Sequence, residues 1–242
     1  MKVCWISAGV SSFIAGVLGN ADLWIYIDVA NQHPDSLRFI EDCEHAIGKK
    51  IEVLSSPYFE DIEDVFRKKK LINTPYGAPC TTVLKKKVRR NWENEFISKY
   101  GIEEYHNLIY IWGFDSNEQN RADRVVENFT EVHHEFPLIE KHMTKESVHG
   151  YFESHYDFKR PIMYDMGYQN NNCIGCVKGG MGYWNKIRKD FPDVFESRCK
   201  LERELGCTII NGMYLDELPP DKGNPGKEIM PECDILCYLA DK

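Results

Sequence analysis

Four short apolar runs punctuate the first half of the chain: "VCWI" from Val3, "LWIYID" from Leu23, "IEVL" from Ile51 and "LIYIW" from Leu108. Each is too short for a helix and too continuous for a strand with one wet face, so each reads as a strand buried on both sides. Between them lie stretches with helical apolar spacing. Phe13 to Leu18 follows the first run. His33 to Ile47 follows the second, with Leu37, Ile40 and Ile47 on its apolar side, Pro34 at a permitted early position and Gly48 as its stop. Asp61 to Lys70 and Thr81 to Tyr100 follow the third, divided by the breaker "INTPYGAP". Glu118 to Asn128 follows the fourth, then a fifth short strand from Val132 to Phe136 and a helix from Thr144, its cap, to Ser154. Strand alternating with helix demands right-handed crossovers. The expected fold is α/β: a doubly wound, mostly parallel five-stranded sheet with helices on both faces.

From about Arg160 the texture changes. "GYQNNNCIGCVKGGMGYW" is rich in Gly and Asn and reads as irregular. Helices are expected over Tyr183 to Asp190 and Pro192 to Leu205, then a loop or mobile tail beginning at "LPPDKGNPGKE". Two regions follow: 1–158, a nucleotide-binding α/β unit, and 159–242, a cysteine-containing helical extension and tail packed on the same domain.

The chain of 242 residues has no uncharged apolar run long enough to span a bilayer and no secretory pattern at its start, so a cytoplasmic protein without membrane contact is expected. A net charge of −8 argues against a broad nucleic-acid face. Yet Lys68, Lys69, Lys70, Lys85, Lys86, Lys87, Arg89 and Arg90 crowd one short region. They are either two solvated helix faces or a local anion site.

The loop after the first strand, Ser7-Ala8-Gly9-Val10-Ser11-Ser12, sits where doubly wound sheets bind ligands. Gly9 is free to take a positive φ and let backbone approach a ligand. Amides at the next helix start, with its dipole, favour an anion, and Ser7, Ser11 and Ser12 add hydroxyls. The loop has neither the lysine of a Walker motif nor the G-x-G-x-x-G pattern.

Nine cysteines are many for a reducing compartment, where clusters more often serve metal or redox chemistry. Cys4 and Cys43 read as buried small hydrophobes, and Cys199 and Cys207 likewise. Cys80, Cys173, Cys176, Cys233 and Cys237 remain. Cys173-x-x-Cys176 offers two soft ligands from one turn, and a complete site needs about four.

S-x-G-x-x-S after the first strand resembles the PP-loop of the adenine nucleotide alpha-hydrolase-like superfamily. "YIDVANQHPDSLRFIEDCEHAIGKKIEVL" resembles the second βαβ unit of the phosphoadenosine phosphosulfate reductase family. "PCTTVLKKKV", "IYIWGFDSNEQNR", "EFPLIEKHMTKESVHGYF" and "CIGC" resemble that family's later elements, in order, over Met1 to Cys176. The resemblance implies an adenine-nucleotide-binding enzyme of sulfur metabolism. It would reduce a sulfonucleotide or use a nucleotide to transfer sulfur.

On that resemblance Ser7, Gly9, Ser11 and Ser12 would hold phosphate or sulfate, and Asp28 would lie beside the adenosine. Gly113 would let the end of the fourth strand approach the nucleotide, and Glu118 would cap or orient that loop. Asp28 as a cap and Gly113 as a plain turn stay open. The ligand would be adenylyl sulfate, phosphoadenylyl sulfate or ATP. Asp115 stands where the family carries Arg, and Arg121 is one residue off the later Arg. Phosphate contacts would then come from Arg121, Arg124 or the lysine-rich helix.

Many reductases of this family hold a 4Fe-4S cluster with a Cys-Cys pair and a later Cys-x-x-Cys. Here Cys80, Cys173 and Cys176 match, with Cys233 or Cys237, a histidine or an exogenous group as fourth ligand. Zinc, or no metal, are the alternatives. The tail "ECDIL" partly matches the family's nucleophile motif, which makes Cys233 the candidate nucleophile and a thiol reductant protein the candidate partner. A homodimer is compatible with this reading. Two rivals stand beside it: a nucleotide sensor without turnover, and a sulfurtransferase that modifies tRNA.

Overall fold

The computed structural model describes residues 1–73 and 77–224. Strands β1 (Lys2–Ile6), β2 (Leu23–Ile27), β3 (Ile51–Leu54), β4 (Ile109–Ile111) and β5 (His133–Glu135) form one sheet in the order β3-β2-β1-β4-β5. Every neighbouring pair is parallel. The order reverses at β1, with β2 on one side and β4 on the other.

Helices α1 (Val10–Leu18) and α2 (Asp35–Ile47) carry the chain from β1 to β2 to β3. It then runs through α3 (Ile62–Lys69), α4 (Pro79–Thr81), a π-helical turn over Thr82–Lys86, α5 (Lys87–Tyr100) and α6 (Ile102–His106) to reach β4. A 3-10 turn, Ser116–Glu118, leads into α7 (Gln119–Asn128) and β5. Helices α8 (Pro137–Glu140) and α9 (Lys145–His155) return to pack on α1. Beyond them lie α10 (Ile162–Asp165), α11 (Met181–Asp190), α12 (Pro192–Leu205) and a 3-10 turn, Leu215–Glu217.

The period-two alternation of β1 divides the core. Val3 and Trp5 face Val88, Trp92 and Phe96 of α5 and Ala122 and Val125 of α7. Cys4 and Ile6 face Phe13 and Ile14 of α1, Phe39 and Cys43 of α2, and Val148 and Phe152 of α9. Both faces are covered, as a doubly wound sheet requires. A third cluster joins α3 to α11 and α12 through Phe66, Trp184 and Leu201, and it includes Cys173 and Cys176. An ion pair between the buried Arg198 and Glu63 ties α12 to α3. Among the described residues no helix is long and apolar enough to cross a membrane.

Local signals explain most boundaries. Asp61 caps α3 by accepting from the Asp64 amide at 2.7 Å, and Thr144 caps α9 by accepting from the Ser147 amide at 3.3 Å. Gly48 and Gly206 end α2 and α12 in the left-handed conformation. Several expectations need correction. Helix α1 begins at Val10 rather than Phe13, because the small residues of the loop are its first turn. Leu37 is 49% exposed, and Phe39, Ile40 and Cys43 form the buried side of α2. The stretch expected as one helix over Thr81 to Tyr100 starts at Pro79 and widens into a π turn before α5. The short helices α6, α8 and α10 carry too few turns to show a period.

Phe13 is the hub of one face. It is fully buried, and the rings of Trp24, Phe39, Phe152, Tyr156 and Phe158 lie with centroids 4.9–6.2 Å away. Phe13→Ala opens a cavity shared by β2, α2 and α9 and should cost about 3–5 kcal/mol, read as a lower urea midpoint at unchanged slope.

Candidate functional site

The crevice of a sheet with this strand order lies above β1, beyond the carboxyl ends of β1 and β4. The first loop that reaches it is held from within. The Ser12 hydroxyl donates to the Gly9 carbonyl at 2.9 Å, accepts from the Ser7 amide at 3.0 Å and lies 3.0 Å from the Ser7 hydroxyl. The bend expected at Gly9 falls one residue earlier: Ala8 has φ 56, while Gly9 is extended at φ −113. Ala8 is fully buried, and its carbonyl accepts from the Asn171 side chain at 2.7 Å. Ser11 and Ser12 are also buried.

The second loop closes on the first. A Cβ at Gly113 would stand 2.7 Å from both the Cα and the amide nitrogen of Ser12. Gly113 therefore permits the contact between the exit of β4 and the first turn of α1. Beyond it Asp115 and Glu118 form a capping box. Asp115 accepts from the Asn117 amide at 2.8 Å, and Glu118 accepts from the Asp115 amide at 3.1 Å. Arg121 is buried, lies 4.4 Å over the Phe114 ring and pairs with Glu118 at 2.6 Å. Arg124 bonds the Asn120 carbonyl through Nε at 3.2 Å. Neither arginine lines the pocket described next.

A polar pocket opens beside Ser7 and Gly9, closed by Gln32, Lys85, Tyr164 and the run Asn170-Asn171-Asn172. No carboxylate lines it among the described residues. Its empty space is about 260 Å³ including the mouth, but only about 10 Å³ of that admits a water-sized body, room for roughly one water. Lys85 reaches it from the π turn. Val83, Leu84 and Lys85 are 4%, 4% and 9% exposed. Three consecutive inward residues sweep more arc than one face of a regular helix provides, and the wider turn accommodates them.

Two latches position the far wall. Arg38 of α2 donates to the carbonyls of Lys159 and Arg160 at 2.6 and 3.2 Å, and Asp35 accepts from the Ile162 amide at 2.8 Å. The paired Arg38 holds the Asp35 carboxyl below the ordinary carboxylate range. Tyr164 follows two residues on. The Asn run is pinned by Asn171, which also donates to the Ser36 hydroxyl at 3.0 Å, and by Lys145 of α9, which donates to Asn170. His149, one turn along α9, stands edge-on to Tyr164 at 4.7 Å, its buried Nδ1 without a partner among the described residues. Asp28, at the exit of β2, is half-buried beside the Tyr26 hydroxyl at 3.2 Å. The same hydroxyl donates to Gln32 at 2.7 Å, which places Gln32 in the wall.

Sequence reasoning found Ser7, Gly9 and the lysine-rich helix. It missed Gln32, in the loop after β2, and Tyr164 and the three asparagines, which belong to no loop after a strand. The run "NNN" was the available signal: three adjacent amide side chains are costly to bury without partners.

Cys173 and Cys176 bracket a tight turn in which Gly175 takes φ +70. The Tyr183 hydroxyl accepts from the Cys176 amide at 2.9 Å and donates to the Cys173 carbonyl at 3.3 Å. Both cysteines are 8% exposed, and the half-buried Cys80 packs against the same cluster. Among the described residues no three His, Cys, Asp or Glu side chains converge as a metal-binding group. Cys233 and Cys237 lie outside the described residues. The described donors do not complete a four-ligand site for a 4Fe-4S cluster or zinc. Cys4 and Cys43 are buried as expected, and burial pushes both thiols upward in pKa, away from reactivity.

No family model matches the chain. No solved structure matches it. It is similar to the uncharacterized protein MJ0066 of Methanocaldococcus jannaschii, 25% identical over 199 residues that cover 74% of this chain. The chain spans 36% of that protein's length, little more than a third.

Two outcomes follow from the site's geometry. Gly113→Ala forces its methyl onto Ser12 backbone and should destabilise by about 1–3 kcal/mol, seen in the thermal midpoint. His149 has its pKa lowered from 6.5 to about 4, first by burial and then by Arg160 and Lys145, against weaker opposition from Glu153 and Glu146. The unfolded chain therefore takes up this proton first. His149's contribution to stability is complete above pH 6.5 and is lost progressively as pH falls toward 4. His149→Gln should flatten the pH dependence of unfolding across that window.

Proposed function

We propose that the pocket above β1 binds the phosphate or sulfate end of an adenine nucleotide, and that the protein acts on that nucleotide in sulfur metabolism. The observation that carries this reading is Lys85, nine-tenths buried yet lining a pocket beside the first turn of α1. An ammonium set beside helix-start amides, in a pocket that no carboxylate lines among the described residues, suits an anionic group. Helix amides, the α1 dipole, the Ser7 and Tyr164 hydroxyls and the asparagine amides supply the neutral donors an oxyanion takes. Entry of such a group requires Lys85 and Tyr164, the lining residues with long rotatable side chains, to give way.

The nucleotide itself is supported by the ordered resemblance to the phosphoadenosine phosphosulfate reductase family and by the location at the strand-order reversal. Adenylyl sulfate, phosphoadenylyl sulfate and ATP are the candidates. In the reductive form, a thiolate attacks the sulfuryl sulfur, the S–O bond breaks and the nucleotide phosphate leaves. A second thiol then releases sulfite as a disulfide forms, so a thiol reductant supplies both electrons. On the resemblance the first thiolate is Cys233.

A second reading, binding without turnover, is favoured by Ser12. Its hydroxyl is fully engaged inside the loop, so it offers a ligand less than a serine-rich cradle suggests.

Titration calorimetry with the three nucleotides tests both. Binding should weaken at least tenfold in Lys85→Ala, about 1.4 kcal/mol, with partial recovery in Lys85→Arg. Equal affinity in wild type and Lys85→Ala removes the pocket from the account. Sulfite release from phosphoadenylyl sulfate with a dithiol supports the reductase, and tight binding without sulfite supports the sensor.

A further inference from the structure

At the opposite rim of the sheet, by the starts of β1, β2 and β4, lies a cavity of about 580 Å³, within the range of small-molecule sites. One wall is a ladder of rings on successive turns of α5. Trp92 stacks on Phe96 at 5.4 Å, and Phe96 meets Tyr100 at 4.7 Å. Glu52, Glu95 and Glu104 stand around the ladder. Glu52 is fixed there by the Trp92 indole N–H, which donates to it at 3.2 Å. Glu95 and Glu104 are exposed and form no ion pair among the described residues.

Three carboxylates against the Lys99 side chain and the Met1 amino group leave the lining with a net negative charge. The end of α5 adds to this, since the carbonyl end of a 14-residue helix attracts cations. Lys99 itself shows what the rings accept: its ammonium lies 4.9 Å from the Tyr100 centroid. Hard metal cations need several oxygen ligands in one shell, and among the described residues these carboxylates do not converge as such a group. The chemistry that matches is an organic cation with apolar stems: methylenes on the rings, ammonium groups at the carboxylates.

We propose that this cavity is a binding site for a linear polyamine, seated along Trp92, Phe96 and Tyr100 and held by Glu52, Glu95 and Glu104. It lies at the far end of the strands from the anion pocket and does not depend on the function proposed there. Calorimetric titration of the full chain with spermidine at low salt should give saturable one-to-one binding that weakens as salt rises. The double variant Glu95→Gln/Glu104→Gln and the variant Tyr100→Ala should each weaken it at least fivefold. All three positions are exposed, so unchanged melting curves keep the comparison valid. Absence of binding at millimolar spermidine, or undiminished binding by the double variant, overturns the proposal. So does sedimentation showing a dimer that Tyr100→Ala dissolves, because the cavity is then covered by a second copy. Nucleotide binding by these variants should match wild type, which keeps this outcome separate from that of the anion pocket.

Discussion

A single strand with a parallel neighbour on each side governs this molecule. β1 lends its backbone to β2 and to β4, so the chain must cross over one way from β1 and later return past it to the other side. Two crossovers leaving in opposite directions cannot both cover the top of the strand they flank. The uncovered place is where the loops after β1 and β4 meet, and their contact is tight enough that only a residue without a side chain fits at 113. The pocket and the inward Ser12 hydroxyl lie at that meeting, and the π turn brings Lys85 to it.

The strands were legible because a two-sided sheet asks for unbroken apolar runs, and "LWIYID" and "LIYIW" admit few other readings. The longer helices were legible through period, caps and glycine stops. Short helices such as Ile162–Asp165 were not, since one turn has no period. The π turn was not either: Val83, Leu84 and Lys85 in succession look like a change from apolar to solvated, whereas all three point inward.

The site was half legible for a related reason. Its near wall is a loop between a strand and a helix, where topology alone directs attention. Its far wall comes from residues more than 130 positions away, brought in by Asp35 and Arg38 at the start of α2. Those two read as ordinary first-turn charges, and nothing in their spacing reveals that they grip backbone beyond residue 158. Arg121 shows the converse. The resemblance suggested a phosphate contact, and the residue's position alone does not reveal that it pairs with Glu118 and lies over the Phe114 ring.

The internal bonding of the first loop has a thermodynamic corollary. Because Ser7, Gly9 and Ser12 are tied to one another, and Ala8 to Asn171, this backbone keeps its shape without help from an occupant. On the function proposed above, an incoming oxyanion would meet a wall already ordered, and little chain entropy would be surrendered there. Selectivity there would then come from how well a guest's oxygens match a fixed stencil, which a guest of the wrong outline would not remould.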